Sequence, residues 1–437
     1  MTTRTFLACA AAGVAVLAIS GAAAAGAEAA PDGAIASPEA GWPQWRGPRR
    51  DAVSDETGLA QAWPEGGPRL LWTASGLGRG WSSPIITGGR IYITGDVGGD
   101  LRVFALDLDG KKKWEAAGGK AWDGPSPGAR AACAYSAGRL YHMNAHGRIA
   151  CFDAADGREV WAVDMLDRFA GRPITWGISE CVLVDGPRVI VTPGGDKAFM
   201  AALDAKTGAT VWASKPLDDP KTQRTGYASP ILLRLGGRRV LVNLALRGIV
   251  CVDADKGVLY DLYPKRSKYD ASCATPVFYR GGIFHSLPST SGSVLLRLAA
   301  GAEGVRFEKA WESPMDNLSG GVVPHEGFFY GSGEDRPGWV CIDARTGEQK
   351  YVSKDLEQGA VVYGDGRLYC LGEKGHMTLV RPGPQKFDIL SRFSLTDGKQ
   401  ADVWAHPVIL DRRLYLRYHD NLYCYDIRRP DAAAAKL

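Results

Sequence analysis

The chain has 437 residues, enough for two or three ordinary domains or for one large repetitive domain. Its 52 basic and 48 acidic residues nearly balance, giving a formal net charge of +4, and no long basic run stands out. Nucleic-acid binding is therefore not expected. Glycine is abundant at 55 residues and hydrophobic residues make up 45%, a composition that favours an all-β fold with a substantial core.

The N-terminus has the pattern of a secretory signal peptide. Arg4 gives a positive start, residues 6–19 are mostly apolar, and an A-x-A cleavage site follows at residues 25–27. The alternative is a membrane anchor, for which the apolar stretch is short. We predict a signal peptide over residues 1–27, a flexible leader over residues 28–41, no transmembrane span after cleavage, and a periplasmic or secreted protein.

Residues 81–114 form the first complete repeat unit. The pattern predicts a strand at residues 81–86 and a second strand, alternating with period two, at residues 90–94. A glycine-rich hairpin loop at residues 95–100 then leads into two further strands. Four short antiparallel strands joined by tight turns are typical of one blade of a β-propeller.

A short phrase recurs eight times along the chain: a turn glycine, usually a basic residue, then an aliphatic–aromatic pair. Its clearest copies are Gly89-Arg90-Ile91-Tyr92, Gly138-Arg139-Leu140-Tyr141, Gly366-Arg367-Leu368-Tyr369 and Arg412-Arg413-Leu414-Tyr415. The units start near residues 81, 129, 176, 226, 271, 318, 358 and 403. Such a period indicates one supersecondary unit copied many times. The sequence thus predicts an all-β, eight-bladed β-propeller of four-stranded antiparallel blades.

A second phrase marks the turn between the third and fourth strands of a unit. Asp204, Gly208 and Trp212 show it most fully: the aspartate caps the turn, the glycine takes a positive φ, and the tryptophan fills the wedge between blades. At these residues the chain resembles the PQQ-like β-propeller repeat family. The opening Trp-Pro-Gln-Trp-Arg-Gly-Pro at residues 42–48 is similar to the start of exported bacterial members. The resemblance covers roughly residues 42–430, although the fourth, fifth and seventh units depart from the phrase.

The last unit stops before its tryptophan-bearing strand. Residues 68–72, which end in Trp72, have the pattern of that missing strand. We therefore predict that this N-terminal strand pairs with the last blade and closes the ring. Residues 42–430 then form a single propeller domain, followed by a disordered tail over residues 431–437.

Four cysteines recur at one position of the repeat: Cys151, Cys251, Cys341 and Cys424. The first and third units carry alanine there. A position filled by either alanine or cysteine is a tight buried slot, because free cysteine packs as a small hydrophobe. We predict buried thiols rather than disulfides.

Functional residues are expected on the loops, because the blades carry the packing. The loops leading into the innermost strands cluster around one mouth of the central channel. The side chains predicted to form a ligand-binding or partner-binding site there are Trp81, Arg130, Trp176, Glu180, Arg224, Tyr227, Asp270, Asn317, Trp404 and His406. Aromatic rings beside charged groups suit a sugar, a quinone or a peptide. No catalytic residue and no metal ligand is predicted, since the sequence lacks H-E-x-x-H and G-x-S-x-G motifs.

The leading hypothesis is a secreted or periplasmic, non-catalytic propeller that serves as a protein-binding or assembly scaffold, with a protein partner or a small polar or carbohydrate ligand at one rim and no cofactor. It follows the resemblance to the outer-membrane assembly propeller lipoprotein of the same repeat family. The family also implies an alternative, a quinoprotein oxidoreductase dependent on PQQ and calcium, with Glu180, Asn317 and Asp270 as its ligand set. The sequence lacks the adjacent cysteines of many such enzymes. A further alternative is a carbohydrate-binding or carbohydrate-cleaving propeller.

Overall fold

The computed structural model describes residue 1 and residues 32–271, 273–396 and 402–430. The chain divides into two units, Met1–Ala30 and Pro31–Leu437, and the propeller belongs to the second. Apart from residue 1, the predicted signal peptide lies outside the described residues. So do the first part of the predicted leader and the whole predicted tail.

Eight antiparallel blades form a β-propeller, as the sequence predicts. Within a blade, the chain runs from a buried strand at the channel to an exposed strand at the outer edge. Blades 1 to 4 contain the strands Ile85–Thr87, Arg90–Val97, Asp100–Asp107 and Lys112–Lys120; Ala134–Ser136, Arg139–Met143, Arg148–Asp153 and Glu159–Asp164; Leu183–Asp185, Arg188–Val191, Ala201–Asp204 and Thr210–Ala213; Ile231–Leu235, Arg238–Ala245, Gly248–Asp253 and Leu259–Pro264.

The second half of the ring repeats this arrangement. Blades 5 to 8 contain the strands Val277–Tyr279, Gly282–Leu287, Gly292–Gly301 and Gly304–Ser313; Val322–His325, Phe328–Gly333, Gly338–Asp343 and Gln349–Ser353; Gly359–Gly364, Arg367–Gly372, His376–Arg381 and Asp388–Ser394; Val408–Leu410, Arg413–Tyr418, Asn421–Asp426 and the N-terminal Arg69–Ala74. In each blade the loop before the first strand therefore ends at the channel.

Two short N-terminal strands add to the channel side of the sheets. Gly33–Ala34, within the predicted leader, pairs antiparallel with the first strand of blade 4, and Val53–Ser54 pairs parallel with the first strand of blade 7. The one α-helix in the described residues, Met165–Phe169, follows blade 2 and is capped by Asp164. Within the same residues, no helix has the length and apolar character that crossing a bilayer requires.

Blade 1 differs from the prediction at two boundaries. Its first strand begins at Ile85 rather than at residue 81, because the N–H of Trp81 donates to the carbonyl of Ala129 in the neighbouring loop. The predicted hairpin loop at residues 95–100 is shorter, since residues 95–97 continue the second strand. Two glycines with positive φ make the remaining tight turn.

Tryptophans of the outermost strands join neighbouring blades. Trp161 of blade 2 donates its indole N–H to the carbonyl of Ala205 in blade 3, at 3.0 Å, and its ring covers Gly208. A Cβ at Gly208 would lie 2.7 Å from that ring. Asp204 caps the same turn by accepting the backbone N–H of Thr207 at 2.8 Å. The aspartate–glycine–tryptophan phrase is therefore the joint between blades.

The predicted N-terminal strand completes the last blade. Arg69–Ala74 pairs antiparallel with Asn421–Asp426, and Trp72 lies opposite Cys424, as the tryptophan of blade 2 lies opposite its cysteine. The indole N–H of Trp72 donates to the carbonyl of Leu108 in blade 1 at 3.0 Å. The last and first blades thus meet through the same indole-to-carbonyl contact that joins blades 1 and 2, 2 and 3, 3 and 4, and 5 and 6.

The recurring cysteines face these tryptophans. Cys151 lies opposite Trp161, and burial raises the pKa of its thiol to about 11. The ring leaves room only for a small side chain, so Ala202 occupies the equivalent place in blade 3. All eight cysteines in the described part of the chain are free thiols, and all but Cys273 are buried.

Candidate functional site

A cavity of about 350 Å³ opens where the loops before the innermost strands converge on one channel mouth. Its volume is at the low end of the range for small-ligand sites, roughly 300–1,000 Å³. Six aromatic side chains line it: Trp45, Trp81, Trp176, Tyr227, Tyr269 and Trp404. The charged and titratable lining groups are Arg130, Glu334 and His406. It can enclose one large side chain or a small ring system.

The aromatic side chains pair around the cavity. The ring centroids of Trp81 and Trp404 lie 4.7 Å apart, and those of Trp176 and Tyr227 lie 5.9 Å apart. The indole N–H of Trp81 also donates to the carbonyl of Asp402 at 2.8 Å. Rings held in this way lose little conformational freedom when a ligand binds, so the wall is pre-organised.

Arg130 places a cation against these rings. Its guanidinium carbon lies 5.9 Å from the ring centroid of Trp81 and 5.5 Å from that of Trp122, within cation–π range. It donates to the carbonyl oxygens of Ser126 and Trp176, and among the described residues it forms no ion pair with a carboxylate. Burial lowers its pKa to about 10. The cation can therefore attract a carbonyl or carboxylate oxygen of a ligand.

His406 is a neutral member of the cavity wall. Burial and the nearby Arg46 guanidinium lower its pKa to about 3. Its Nε2 lies 2.8 Å from the carbonyl oxygen of Ser319, so Nε2 carries the proton and donates. The Nδ1 atom is buried without a hydrogen-bond partner among the described residues. It is available as an acceptor, and the ring packs 4.5 Å from that of Trp45.

Glu334 supplies the carboxyl group of the lining. It accepts the backbone N–H of Ser289 at 3.3 Å, and burial raises its pKa. Two lining serines bond to backbone groups through their hydroxyls. Ser179 donates to the carbonyl of Tyr227, and Ser229 accepts the N–H of Cys181. Among the described lining residues, no nucleophile is hydrogen-bonded to a base.

Six of the ten predicted site residues meet in this cavity: Trp81, Arg130, Trp176, Tyr227, Trp404 and His406. The four that lie outside it are Glu180, Arg224, Asp270 and Asn317. Arg224 donates to the carbonyl of Pro173 in a neighbouring loop. The predicted set thus gathers its aromatic members and separates most of its charged ones.

The remaining three residues, Glu180, Asp270 and Asn317, contact other residues of the propeller. Asp270 pairs with Arg247 of blade 4. Glu180 is fully buried and accepts the side-chain amide of Asn243 at 3.3 Å. The cavity is therefore lined by the sequence neighbours of these residues and not by the residues themselves.

The family resemblance implies calcium and PQQ in some members. Whether Glu180, Asn317 and Asp270 could hold them depends on which contacts their side chains already make. Asn317 donates to the carbonyl of Ser332 at 2.8 Å and accepts the N–H of Gly321, while Asp270 is neutralised by arginine. Calcium needs six to eight oxygen ligands. In the described ranges, no group of three or more His, Cys, Asp or Glu side chains could hold a metal ion. The residues present do not fit a calcium-bound quinone.

Among the aromatic side chains, the charged groups and the histidine of the lining, three residues were not predicted from the sequence. Tyr269 directly precedes the predicted Asp270, and in an irregular loop no period tells which neighbour faces the cavity. Glu334 lies in a hairpin between the second and third strands of blade 6, a loop class that the prediction left out. Trp45 lies in the opening segment before any blade. Its signal was the tryptophan pair at residues 42 and 45.

Comparison with known proteins defines the class to which this propeller belongs. The profile of the family described as outer membrane protein assembly factor BamB matches residues 115–350. This match covers more than half of the chain, and the chain belongs to that family.

Solved structures share the fold. The crystal structure of BamB from Moraxella catarrhalis superposes with a TM-score of 0.58 at 16% identity, covering 83% of this chain and 98% of that one. The quinohemoprotein alcohol dehydrogenase from Comamonas testosteroni superposes with a TM-score of 0.60 at 14% identity, covering 93% of this chain and 82% of that one. At these identities the likeness concerns the fold alone.

One stretch also matches an enzyme subunit in sequence. The dehydrogenase subunit of the alcohol dehydrogenase (quinone) from Gluconacetobacter polyoxogenes is 27% identical over 106 residues. That match covers 23% of this chain and 14% of the relative. The chain therefore spans only a small part of the length of this curated relative.

Proposed function

We propose that this chain is an exported, non-catalytic propeller that holds a segment of a protein partner in the aromatic cavity at the channel mouth. The observation that carries the proposal is the combination of six aromatic side chains with Arg130 in one pre-formed cavity, where no carboxylate of the described residues pairs with the arginine. Tryptophan, tyrosine and arginine dominate the binding hot spots of protein interfaces. Membership of a family described as an outer membrane protein assembly factor supports the same role.

Recognition would use the cavity for one anchoring side chain. An aromatic or large apolar side chain of the partner fills the space between Trp81, Trp404 and Trp176, where ring contacts add to the burial of apolar area. A backbone carbonyl or a chain-terminal carboxylate of the partner meets Arg130. Tyr269, which is 59% exposed, extends the contact onto the surrounding loops.

The proposed location is the periplasm or the extracellular space. It is supported by the sequence pattern of residues 1–27, which has the features of a cleavable signal peptide. Residues 28–41 would then be the N-terminal leader of the mature protein and residues 42–430 its single domain.

Selection of random peptides displayed on phage, followed by titration of the recovered peptides, tests the proposal. We expect peptides with an aromatic or large apolar anchor, and we expect Trp404→Ala to weaken their binding about tenfold or more, as removal of a hot spot does. Failure to recover any specific peptide would contradict the proposal. So would binding that Trp404→Ala leaves unchanged.

A second candidate is a PQQ- and calcium-dependent oxidoreductase. The fold shared with a quinohemoprotein alcohol dehydrogenase and the local sequence match to a quinone alcohol dehydrogenase subunit favour it, whereas the donor set does not. Thermal unfolding with added PQQ and calcium, together with dye-coupled oxidation of alcohols, separates the two. A melting shift of several degrees with turnover would overturn the binding proposal, and a glycan array tests the carbohydrate alternative in the same way.

A further inference from the structure

The opening segment, residues 42–54, crosses the central channel. It makes hydrogen bonds to the innermost strand, or to the loop before it, in every blade. In order from blade 1 to blade 8, the partners of the segment are Ile86, Tyr135, Cys181, Pro230, Thr275, Val322, Tyr363 and Ile409. A segment tied to all eight blades obstructs the passage between the two mouths.

Two fully buried arginines anchor the segment. Arg50 donates to Gln44 within the segment and to the carbonyls of Cys181 and Pro230, at about 3 Å in each case. Arg46 donates to the carbonyl of Val322 at 2.6 Å. Burial lowers the pKa of each arginine to about 10. Carbonyl oxygens of three blades thus compensate two desolvated cations, so the segment is anchored by specific interactions.

The backbone of the segment is also shaped by the channel. Arg46, Arg50 and Ala52 all have φ near +60°, a region that residues with a Cβ adopt rarely. Three such residues within seven positions persist only where surrounding contacts determine the conformation. At the facing position of blade 6, Gly321 has no side chain, and a Cβ there would overlap the Arg46 guanidinium.

Trp45 is the residue of this segment that faces the cavity. Its indole N–H donates to the hydroxyl of Thr275 in blade 5 at 2.9 Å, and its ring packs against His406 of blade 8. The ring is therefore held from opposite sides of the mouth. Trp42, in the same segment, is only 3% exposed and does not line the cavity.

We propose that residues 42–54 form an internal plug and that Trp45 is the floor of the binding cavity. The site is then a composite: the blade loops supply its walls and the plug supplies its base. Trp45 limits how deeply a ligand enters, so it selects for a single aromatic or large apolar side chain and excludes a chain threaded through the propeller. The nature of this ligand rests on the proposed function; the floor itself does not.

Fluorine NMR of the full chain labelled with 5-fluorotryptophan tests the floor without a ligand. Trp45→Phe, Trp42→Phe and Trp404→Phe each remove one resonance and so assign the three. We expect the Trp45 resonance to shift between H2O and D2O, as the resonance of Trp404 does, and the Trp42 resonance to stay fixed. A Trp45 resonance as insensitive as that of Trp42 would overturn the assignment of the floor.

Addition of indole, as a probe for an aromatic side chain, then separates the two proposals. Saturable shifts of both Trp45 and Trp404 support the composite site. A shift of Trp404 with none at Trp45 overturns the floor while leaving the binding cavity intact. If Trp45 is solvent-sensitive but indole moves neither resonance, the floor is supported and the aromatic-anchor function is contradicted.

Discussion

Glu180 carries an ionisable group with no exposed surface, near the base of the cavity wall. Burial raises the pKa of its carboxyl group to about 7, against the favourable hydrogen bonds from Thr192 and Asn243. The folded-state pKa therefore lies above the ordinary value of 4.5. The fold favours the neutral acid over the carboxylate, because burial desolvates the charge.

The raised pKa makes the stability of the protein depend on pH, and the Glu180→Gln variant should remove that dependence. Because the pKa of Glu180 is higher in the folded state than in the unfolded state, its contribution to the free energy of unfolding is fully present below pH 4.5. That contribution is lost as the pH rises through about 7. The difference in unfolding free energy between the wild type and Glu180→Gln should change by roughly 3 kcal/mol over that range. Urea unfolding of both proteins at a series of pH values measures this difference. The titration of all other groups is common to both proteins and cancels. Parallel stability curves would show that Glu180 is not desolvated.

Six of the predicted side chains line the cavity, whereas Glu334 and Trp45 lie in segments that the prediction of the site did not include. The aromatic members of the predicted site meet in the cavity because a large ring at the channel mouth has few other places to pack. The charged members could not be predicted in the same way. Asp270 is neutralised by Arg247 from another blade, a contact between residues distant in sequence that no local pattern encodes.

The turn between the third and fourth strands is the element that joins blades. In blade 2, Gly157 has φ of +78°, and a Cβ added there would lie 2.5 Å from the ring of Trp114 in blade 1. Gly138, in another turn of the same blade, has the same φ, but nothing lies within 4 Å of its added Cβ. The two positions share the backbone requirement and differ in the contact between blades.

This pair gives a matched test of the joint. Gly138→Ala should cost about 1 kcal/mol of unfolding free energy from backbone strain alone. Gly157→Ala should cost about 1–3 kcal/mol more, because the methyl group displaces the tryptophan ring. Urea denaturation compares the two variants. Equal losses would mean that the tryptophan contact does not constrain the turn.

Elements were predicted well because each is encoded locally. The turn phrase and the alternation of apolar residues recur along the chain, with Asp411-Arg412 in place of a glycine turn in the eighth unit. A chance match in one unit is outweighed by the agreement of the other copies. The predicted start of the first strand of blade 1 was wrong because the backbone N–H of Trp81 pairs with the carbonyl of Ala129 in the neighbouring loop. This hydrogen bond is a tertiary contact, so the sequence of a single repeat does not reveal it.

The whole molecule depends on its N-terminal residues in two ways. Arg69–Ala74 completes blade 8, and residues 42–54 reach every blade from the channel. The sequence predicted the first because the last unit visibly lacks a strand. It missed the second because the opening segment repeats nothing, and only the assembled ring shows which carbonyls its arginines meet.

Deletion of residues 42–74 should therefore yield an aggregating or unfolded protein. The last blade would expose a strand edge, and the channel carbonyls would lose the arginines that satisfy them. A chain that begins at residue 38 is the control, because it loses the pairing of Gly33–Ala34 and the backbone hydrogen bonds of Ile35 and Ser37 but keeps residues 42–74. This control should remain soluble. Size-exclusion chromatography and thermal melts compare the two. A soluble, cooperatively melting protein without residues 42–74 would contradict this account of closure.

The most direct test of the central claim, that the aromatic cavity binds a partner segment, is the affinity of a phage-selected peptide for Tyr269→Ala. Tyr269 lines the cavity yet is more than half exposed, so its removal should leave the fold intact. We predict binding about tenfold weaker or worse by isothermal titration, and unchanged binding to Val211→Ala, an exposed apolar control on blade 3. Equal affinity for Tyr269→Ala and the wild type would contradict the claim.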